Sequence, residues 1–192
     1  MKEELERILA QREKRYINDD KRVPAAVLVP LYQKNGQYHI VFIKRTEKVR
    51  DHKGQISFPG GARDKDDRTL LHTAVRESRE EIGLQEEDIE VIGELDDELT
   101  TTTNYTVTPF VAVIPCPYRF QKNADEVADI LEAPIEALMK TGRVNSNGEN
   151  LNGESLESYI YDYNGNIIWG ATARILKKLL DIIRGIKPVT EE

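Results

Sequence analysis

The 192-residue chain contains a single cysteine, Cys116, which excludes an internal disulfide framework and makes a reducing cytoplasm the expected compartment. Long hydrophobic runs are also missing. The uncharged apolar stretches 24–32 and 107–118 are far shorter than the roughly 20 residues of a membrane-spanning helix. Charges begin at Lys2, so no signal-peptide core is expected. These absences predict a protein without a membrane partner.

Basic residues are outnumbered, since 27 Lys and Arg stand against 34 Asp and Glu, giving a formal net charge of −7. This balance argues against a general nucleic-acid coat protein, which needs a dominant basic surface. The chain has no G-x-S-x-G and no Walker A motif, and His39, His52 and His72 lack zinc-type spacing. Serine-hydrolase, P-loop and zinc chemistry are therefore not expected.

Hydrophobic periodicity and turn residues predict a mixed α/β chain. Asn35-Gly36 and Asn164-Gly165 each predict a hairpin. Gly83 predicts the end of a helix, because glycine readily adopts the left-handed backbone conformation found there. Because the predicted strands are joined by hairpins and not by regular βαβ units, a Rossmann or barrel architecture is not expected. Helices are predicted over 2–17, 69–82, 134–139 and 171–184, a loop over 145–153, and strands over 23–32, 37–45, 56–58, 89–95, 105–114, 127–131, 158–163 and 166–169.

The helix over 69–82 carries three carboxylates on one face, because Glu77, Glu80 and Glu81 are related by i, i+3 and i+4. Like charges on one face repel, and the C-terminal end of a helix disfavours anions. A compensating cation removes both penalties, and oxygen ligands suit Mg²⁺ or Mn²⁺. The alternative is a solvated acidic face with Arg76 and Arg79 as ordinary ion-pair partners.

This segment resembles the Nudix box of pyrophosphohydrolases: Gly60-Gly61, a polar loop, then Arg76-Glu77-x-x-Glu80-Glu81-x-Gly83-Leu84. Gly61 lies fifteen residues before Arg76, one more than in the usual box, and Asp67 stands nearest to the position of the box's early glutamate.

A second motif resembles the coenzyme A pyrophosphatase branch of that family, which also has the longer loop. Its matching positions are Arg45, Arg50, Gly54 and Phe58-Pro59-Gly60-Gly61, whereas Ile43 and Thr46 replace a threonine and a serine. The stretches 107–111 and 168–173 resemble the same branch, so the resemblance covers about residues 23–183.

The resemblance implies a Nudix-like α/β/α sandwich with a mixed sheet and a loop–helix–loop catalytic motif. Residues 21–187 would form this domain, after an N-terminal surface helix within 1–20 and before a tail over 188–192. It also implies metal-dependent cleavage of coenzyme A or acyl-CoA to adenosine 3′,5′-bisphosphate and 4′-phosphopantetheine or its acyl form. The alternatives are a Nudix hydrolase of another nucleoside diphosphate derivative, such as a dinucleotide, ADP-ribose or a nucleotide sugar, and a non-catalytic nucleotide-binding module.

The resemblance assigns Glu77, Glu80 and Glu81 as ligands of Mg²⁺ or Mn²⁺. Arg76 is expected to orient Glu77 or a neighbouring carboxylate through its guanidinium fork. Glu126 is the candidate for an additional metal ligand or the base that deprotonates water. A solvated loop glutamate is the other interpretation of Glu126, and Asp97 and Glu98 are rival candidates.

Substrate phosphates are expected at Arg45 and Arg50, within a local basic cluster of an otherwise acidic chain. The alternative is a solvated basic loop. Gly60 and Gly61 would let backbone approach the phosphates, or form only a tight turn.

Two further expectations concern the aromatic side chains and the N-terminal helix. Trp169 and Tyr105 are candidates to stack on adenine, although core packing is favoured for Trp169. The threonine tract 100–103 is expected to form a turn whose hydroxyls are hydrogen-bonded, and the alternative is a polar loop that faces the substrate. The apolar stripe of the N-terminal helix permits a homodimer or partner contact, and equally permits the helix to cap its own domain.

Overall fold

The computed structural model describes residues 1–48, 54–144, 149–151, 154–156 and 158–186, so Arg50 and the predicted tail 188–192 lie outside the described residues. The helices are α1 (Lys2–Gln11), α2 (Leu70–Ile82), α3 (Ile135–Thr141) and α4 (Gly170–Gly185), with a 3₁₀ turn over Glu86–Asp88. The strands are β1 (Val23–Lys34), β2 (Gln37–Arg45), β3 (Ile56–Ser57), β4 (Gly60–Ala62), β5 (Glu90–Glu94), β6 (Glu98–Leu99), β7 (Tyr105–Val113), β8 (Val127–Pro134), β9 (Arg143–Val144), β10 (Glu149–Leu151), β11 (Glu154–Leu156), β12 (Tyr159–Tyr163) and β13 (Asn166–Ile168).

The main sheet is mixed and has the order β3-β2-β1-β7-β5, with β4 added to β1, β6 to β7 and β8 to β2. Strands β1 and β7 are parallel, with Val23 opposite Tyr105 and Leu31 opposite Val113, whereas β2 returns antiparallel to β1. Asn35 and Gly36 make that hairpin turn with φ of 52° and 78°, which these two residue types tolerate.

Alternating side chains divide the core into two layers, one on each face of the sheet. On one face Leu28 and Ile43 pack with residues of α2 such as Ala74 and Ile82. The opposite face is covered by α1, α3 and α4, through the buried residues Leu5, Leu31, Phe42, Leu138 and Leu176. This arrangement confirms the predicted α/β/α sandwich with a mixed sheet. Within the described residues, no helix is long and apolar enough to cross a membrane.

The predicted helix over 2–17 is too long, because α1 ends at Gln11 and the chain then becomes extended. The guanidinium of Arg12 donates to the carbonyl of Glu94 at 2.9 Å. The backbone N–H groups of Arg15 and Ile17 donate to the carboxylates of Asp96 and Asp97, both at 3.0 Å. These long-range acceptors replace the helical hydrogen bonds that residues 12–17 would otherwise make.

The apolar stripe of α1 is buried within the same chain. Leu5 and Leu9 belong to the core that α4 also covers. Gly93 allows the close approach of α1 to β5, since its φ is 153° and a Cβ there would lie 2.6 Å from Leu9 Cβ. The stripe therefore caps its own domain, which is the second of the two alternatives for this helix.

Long-range pairing also adds strands that local composition does not signal. Residues 60–62 form β4 against β1, and β8 extends to Pro134, where the sequence predicts a helix start. Within the predicted loop 145–153, Glu149–Leu151 is strand β10 paired with β11. Glycine- and asparagine-rich segments become strands here because a partner strand supplies the hydrogen bonds.

Candidate active site

Helix α2 positions the carboxylates, and both of its ends are defined by local hydrogen bonds. The Thr69 hydroxyl accepts from the N–H of His72 at 3.1 Å, which is an N-cap. At the other end Gly83 adopts φ 71° and its N–H donates to the Arg79 carbonyl at 3.0 Å. The predicted helix end at Gly83 is confirmed. It lies two residues after Glu81, the last carboxylate of the helix.

Glu81 is buried, with 1% of its side chain exposed. One carboxylate oxygen accepts the N–H of Gly60 at 3.0 Å, and the other lies 3.2 Å from Nη1 of Arg45. Burial raises the pKa of Glu81 to about 8, and the charges of Glu77 and Glu126 act in the same direction. The Gly60 N–H and Arg45 offset part of this effect. Burial therefore favours the protonated carboxyl, whereas a bound cation would favour the carboxylate.

The two glycines of β4 are required by different neighbours. A Cβ on Gly60, whose φ is 151°, would lie 2.6 Å from Val27 Cα of the paired strand. A Cβ on Gly61 would lie 2.6–2.8 Å from the carboxylate of Glu77. Gly60 therefore permits strand pairing, and Gly61 leaves the space that the Glu77 carboxylate occupies. Neither is merely a tight turn.

Arg76 connects the box carboxylates to a buried anchor. Its Nε and Nη2 donate to the two oxygens of Asp67, each at 3.0 Å, and its Nη1 lies 2.8 Å from Glu77 and 3.2 Å from Glu80. The hydrogen bonds from Arg76 hold the pKa of Asp67 well below its usual range, and Asp67 raises the pKa of Arg76. Arg76 thus has the contacts expected of a residue that orients Glu77. Asp67 supplies the carboxylate that fixes the guanidinium.

Glu126 reaches the same region because its loop is attached to the end of α2. The N–H of Gln121 donates to the Ile82 carbonyl and the N–H of Asn123 to the Glu81 carbonyl, both at 2.9 Å. The side-chain amide of Asn123 lies 3.4 Å from the Glu126 carboxylate. This docking brings a loop residue from outside the box beside Glu81.

These groups line a cleft of about 340 Å³, which is within the range of small-ligand sites. Of the predicted site residues, it is lined by Arg45, Gly60, Gly61, Glu77, Glu81 and Glu126. Glu80 is exposed and lies beside the cleft with Arg76. Of the two arginines predicted to bind substrate phosphates, Arg45 lines the cleft, and Arg50 lies outside the described residues.

The other candidates for an additional carboxylate lie in a separate structural cluster. Glu98 is buried against Arg174 at 2.9 Å and Lys178 at 2.8 Å. Asp97 accepts from the Thr108 hydroxyl at 2.8 Å and lies 3.2 Å from Lys14. These contacts hold the N-terminal segment and α4 against β6. They do not line the cleft.

Residues outside the two motifs also line the cleft. Trp169, for which core packing was favoured, is 38% exposed and lines the cleft together with Tyr105. The tract over 100–103 is a satisfied turn, as predicted, since Thr100 Oγ1 donates to the Thr103 carbonyl at 2.6 Å. It also lines the cleft, as does Ser57. No local pattern signals Ser57 as a cleft residue, because the strands and α4 bring these positions together only in the folded chain.

The donor chemistry of the site fits a divalent cation. Burial raises the pKa of Glu77, Arg76 opposes this effect, and the charges of Glu80 and Glu126 add to it. Burial likewise raises the pKa of Glu81, with the charges of Glu77 and Glu126 acting in the same direction. In the described part of the chain, however, no three His, Cys, Asp or Glu side chains converge as a formed metal site. Glu80 instead pairs with Arg76. Joining Glu77 and Glu81 in a cation site requires Glu80 to turn away from that partner.

We expect Mg²⁺ to stabilise the protein more at a pH well above 8 than at a pH well below it. The pKa of Glu81 is raised from 4.5 to about 8, so the stability that its proton contributes is present below 4.5 and lost as the pH rises through about 8. A bound cation replaces that proton. Thermal unfolding with Mg²⁺ or EDTA on either side of pH 8 measures the effect. In the Glu81→Gln variant the Mg²⁺ effect should no longer change across this range, and an unchanged difference would contradict the assignment.

Comparison with known proteins shows the family to which the chain belongs. The NUDIX domain model matches residues 21–149. Two relatives, both named uncharacterized Nudix hydrolase NudL, are 34% identical. The protein from Citrobacter koseri aligns over 167 residues (87% of this chain, 85% of the relative), and that from Yersinia pestis strain Pestoides F over 155 residues (81% and 77%).

Solved structures show the same fold at low identity. A C. elegans Ap4A hydrolase binary complex superposes with a TM-score of 0.57 and 17% identity, covering 85% of this chain and 99% of that one. The Nudix hydrolase RenU from M. smegmatis gives a TM-score of 0.56 and 19% identity, covering 88% and 91%. With the family model matching two thirds of its length, the chain belongs to the Nudix family of hydrolases, which act on nucleoside diphosphate derivatives.

Proposed function

We propose that the chain is a divalent-cation-dependent pyrophosphohydrolase of coenzyme A or acyl-CoA, releasing adenosine 3′,5′-bisphosphate and 4′-phosphopantetheine or its acyl form. The observation that carries the proposal is the meeting of two motifs at one carboxylate. Glu81 belongs to the Nudix box, and Arg45 belongs to the upstream motif that resembles the coenzyme A branch. The two side chains lie 3.2 Å apart in the cleft.

Arg45 supplies the positive charge that a pyrophosphate needs at this end of the cleft. Its side chain is 22% exposed, and its buried Nε has no hydrogen-bond partner among the residues that the structure describes. A guanidinium can bind phosphate oxygens through two N–H groups at once. Arg45 is therefore suited to bind the pyrophosphate of the substrate while it neutralises Glu81.

Glu77, Glu80 and Glu81 would hold the divalent cation, since Nudix hydrolases generally use such ions. When bound, the ion offsets negative charge at the pyrophosphate and lowers the pKa of water. Arg76 keeps Glu77 directed at the cleft, and Glu126 offers a carboxylate beside Glu81 that can accept a proton from water. One P–O bond of the anhydride breaks, the oxygen of water forms the new P–O bond, and both products leave as phosphates.

The test is a product assay with purified protein and saturating Mg²⁺ or Mn²⁺. Coenzyme A is compared with dephospho-coenzyme A, NADH, ADP-ribose, a diadenosine polyphosphate and a nucleoside triphosphate. We expect metal-dependent release of adenosine 3′,5′-bisphosphate from coenzyme A with the highest kcat/KM of the set. Chromatography of the products identifies both halves of the cleaved molecule.

Two other outcomes would overturn parts of the proposal. Cleavage of the other substrates with coenzyme A untouched would retain the family chemistry and exclude the coenzyme A assignment. Tight nucleotide binding without turnover of any substrate would favour a non-catalytic binding module. A preference for coenzyme A over dephospho-coenzyme A would show recognition of the 3′-phosphate.

A further inference from the structure

The cleft that holds the carboxylates is also lined by an exposed aromatic side chain. Trp169, the single tryptophan of the chain, is 38% exposed there. Among the described residues its indole makes no hydrogen bond and no ring contact. Large aromatic side chains contribute most where they bury 150–250 Å² of surface, so an exposed one inside a cleft offers an apolar face that a ligand can cover.

Backbone constraints hold Trp169 at this position. It is the residue between β13 and α4, with an extended backbone, and its carbonyl accepts the N–H of Ala173 at 3.4 Å. The following Gly170 has φ 65°, which provides the sharp turn into the helix. The neighbouring Ile168 is fully buried. The indole is thus presented by a rigid junction and not by a long loop.

Tyr105 contributes a second aromatic ring to the same cleft and is equally well anchored. Its N–H donates to the Thr100 hydroxyl at 2.9 Å, and it begins β7, which is paired in parallel with β1. The carbonyl of Thr100 in turn accepts from the guanidinium of Arg22 at 3.1 Å. Two aromatic side chains held by regular structure form a preorganised surface for a flat ligand group.

We propose that Trp169 and Tyr105 form the site that stacks on the nucleobase of the substrate. This inference rests on the proposed function and adds to it the orientation of the substrate. The pyrophosphate lies at Arg45 and Glu81, and the base lies at Trp169, with the ribose between them. A planar heterocycle gains stacking energy from flat aromatic faces. The flexible pantetheine arm has no flat ring and gains no such stacking energy. The pantetheine half therefore leaves the cleft on the other side of the pyrophosphate.

The fluorescence of the single tryptophan tests this assignment without turnover. Metal-free protein is titrated with AMP and with adenosine 3′,5′-bisphosphate, using red-edge excitation of the indole to avoid absorption by adenine. The matched controls are ribose 5-phosphate, which lacks the base, and 4′-phosphopantetheine. We expect saturable quenching by the two adenine nucleotides and none by the controls. Quenching by 4′-phosphopantetheine alone, or by no compound, would overturn the proposal.

Variants provide a second measurement. Tyr105→Leu should weaken AMP binding, read from Trp169 fluorescence, by about 10-fold or more, whereas Tyr105→Phe keeps the ring and should bind within about 3-fold of the parent. Trp169→Leu should raise KM for the cleaved nucleotide substrate by about 10- to 100-fold with a smaller change in kcat, and Trp169→Phe should restore most of it. Equal effects of Leu and Phe at both positions would contradict stacking.

The two proposals fail in different ways. Quenching by AMP in a protein that leaves coenzyme A intact would retain the base site and exclude coenzyme A as substrate. Cleavage of coenzyme A by a protein whose fluorescence does not respond to AMP would retain the activity and exclude the base site.

Discussion

Replacement of Glu80 by glutamine lowers metal-dependent kcat/KM by roughly 10³-fold, while the melting temperature of the metal-free protein changes by about 2 °C or less. Glutamine preserves the size of the side chain and removes the charge that a divalent cation requires. Folding is little affected, because the Glu80 side chain is 55% exposed and its partner is Arg76 at 3.2 Å on the surface. Product formation and thermal unfolding measure the two effects.

The matched control is Glu86→Gln, which neutralises an exposed glutamate of the nearby 3₁₀ turn. We expect kcat/KM of this variant to stay within about 2-fold of the parent, because the charge lost lies outside the cleft and is screened by solvent. A Glu80→Gln protein with near-parental activity, or one that loses activity only as far as it loses stability, would exclude Glu80 as a metal ligand. Glu80 would then act only as the surface partner of Arg76.

The sequence predicts α2 well because the signals for this helix are local. Thr69 and Gly83 mark its ends, and the spacing of Glu77, Glu80 and Glu81 places them on one face. The spacing does not predict how deeply each of the three carboxyl groups is buried. Glu81 is buried against Gly60, Glu77 is half-buried and Glu80 is exposed. That difference arises because β4 packs beside the helix, and the pairing of β4 with β1 is a long-range contact.

Long-range contacts also explain where the predictions from the sequence are wrong. A periodic apolar stripe predicts a helix through residue 17, but carboxylates of Asp96 and Asp97, about 80 positions away, bind the backbone of residues 15 and 17. Trp169 looks like a core residue by composition, yet the turn at Gly170 directs it to the cleft. Propensity and periodicity describe a residue's neighbours in the chain, whereas these positions are decided by partners in space.

A buried ion cluster between α4 and β6 gives the largest expected loss of stability. Arg174 of α4 is 6% exposed, lies 2.9 Å from Glu98, and donates to the Leu99 carbonyl at 2.6 Å. Arg174→Met removes the guanidinium and leaves Glu98 buried with Lys178 alone. We expect the free energy of unfolding to fall by about 3 kcal/mol, since breaking a buried pair costs about 3–5 kcal/mol and Lys178 offsets part of it. Denaturant unfolding monitored by circular dichroism measures the loss.

Lys177→Met is the matched control on the same helix, because Lys177 pairs with Asp181 at the surface and should contribute less than about 1 kcal/mol. The double variant Arg174→Met/Glu98→Gln separates the pair from its surroundings. If the cost of Arg174→Met comes from an uncompensated carboxylate, neutralising Glu98 recovers part of the lost stability, and the two substitutions are not additive. Additive losses would mean that Arg174 acts through packing alone. Because this pair joins α4 to β6, non-additivity would identify it as a contact through which the two elements stabilise each other.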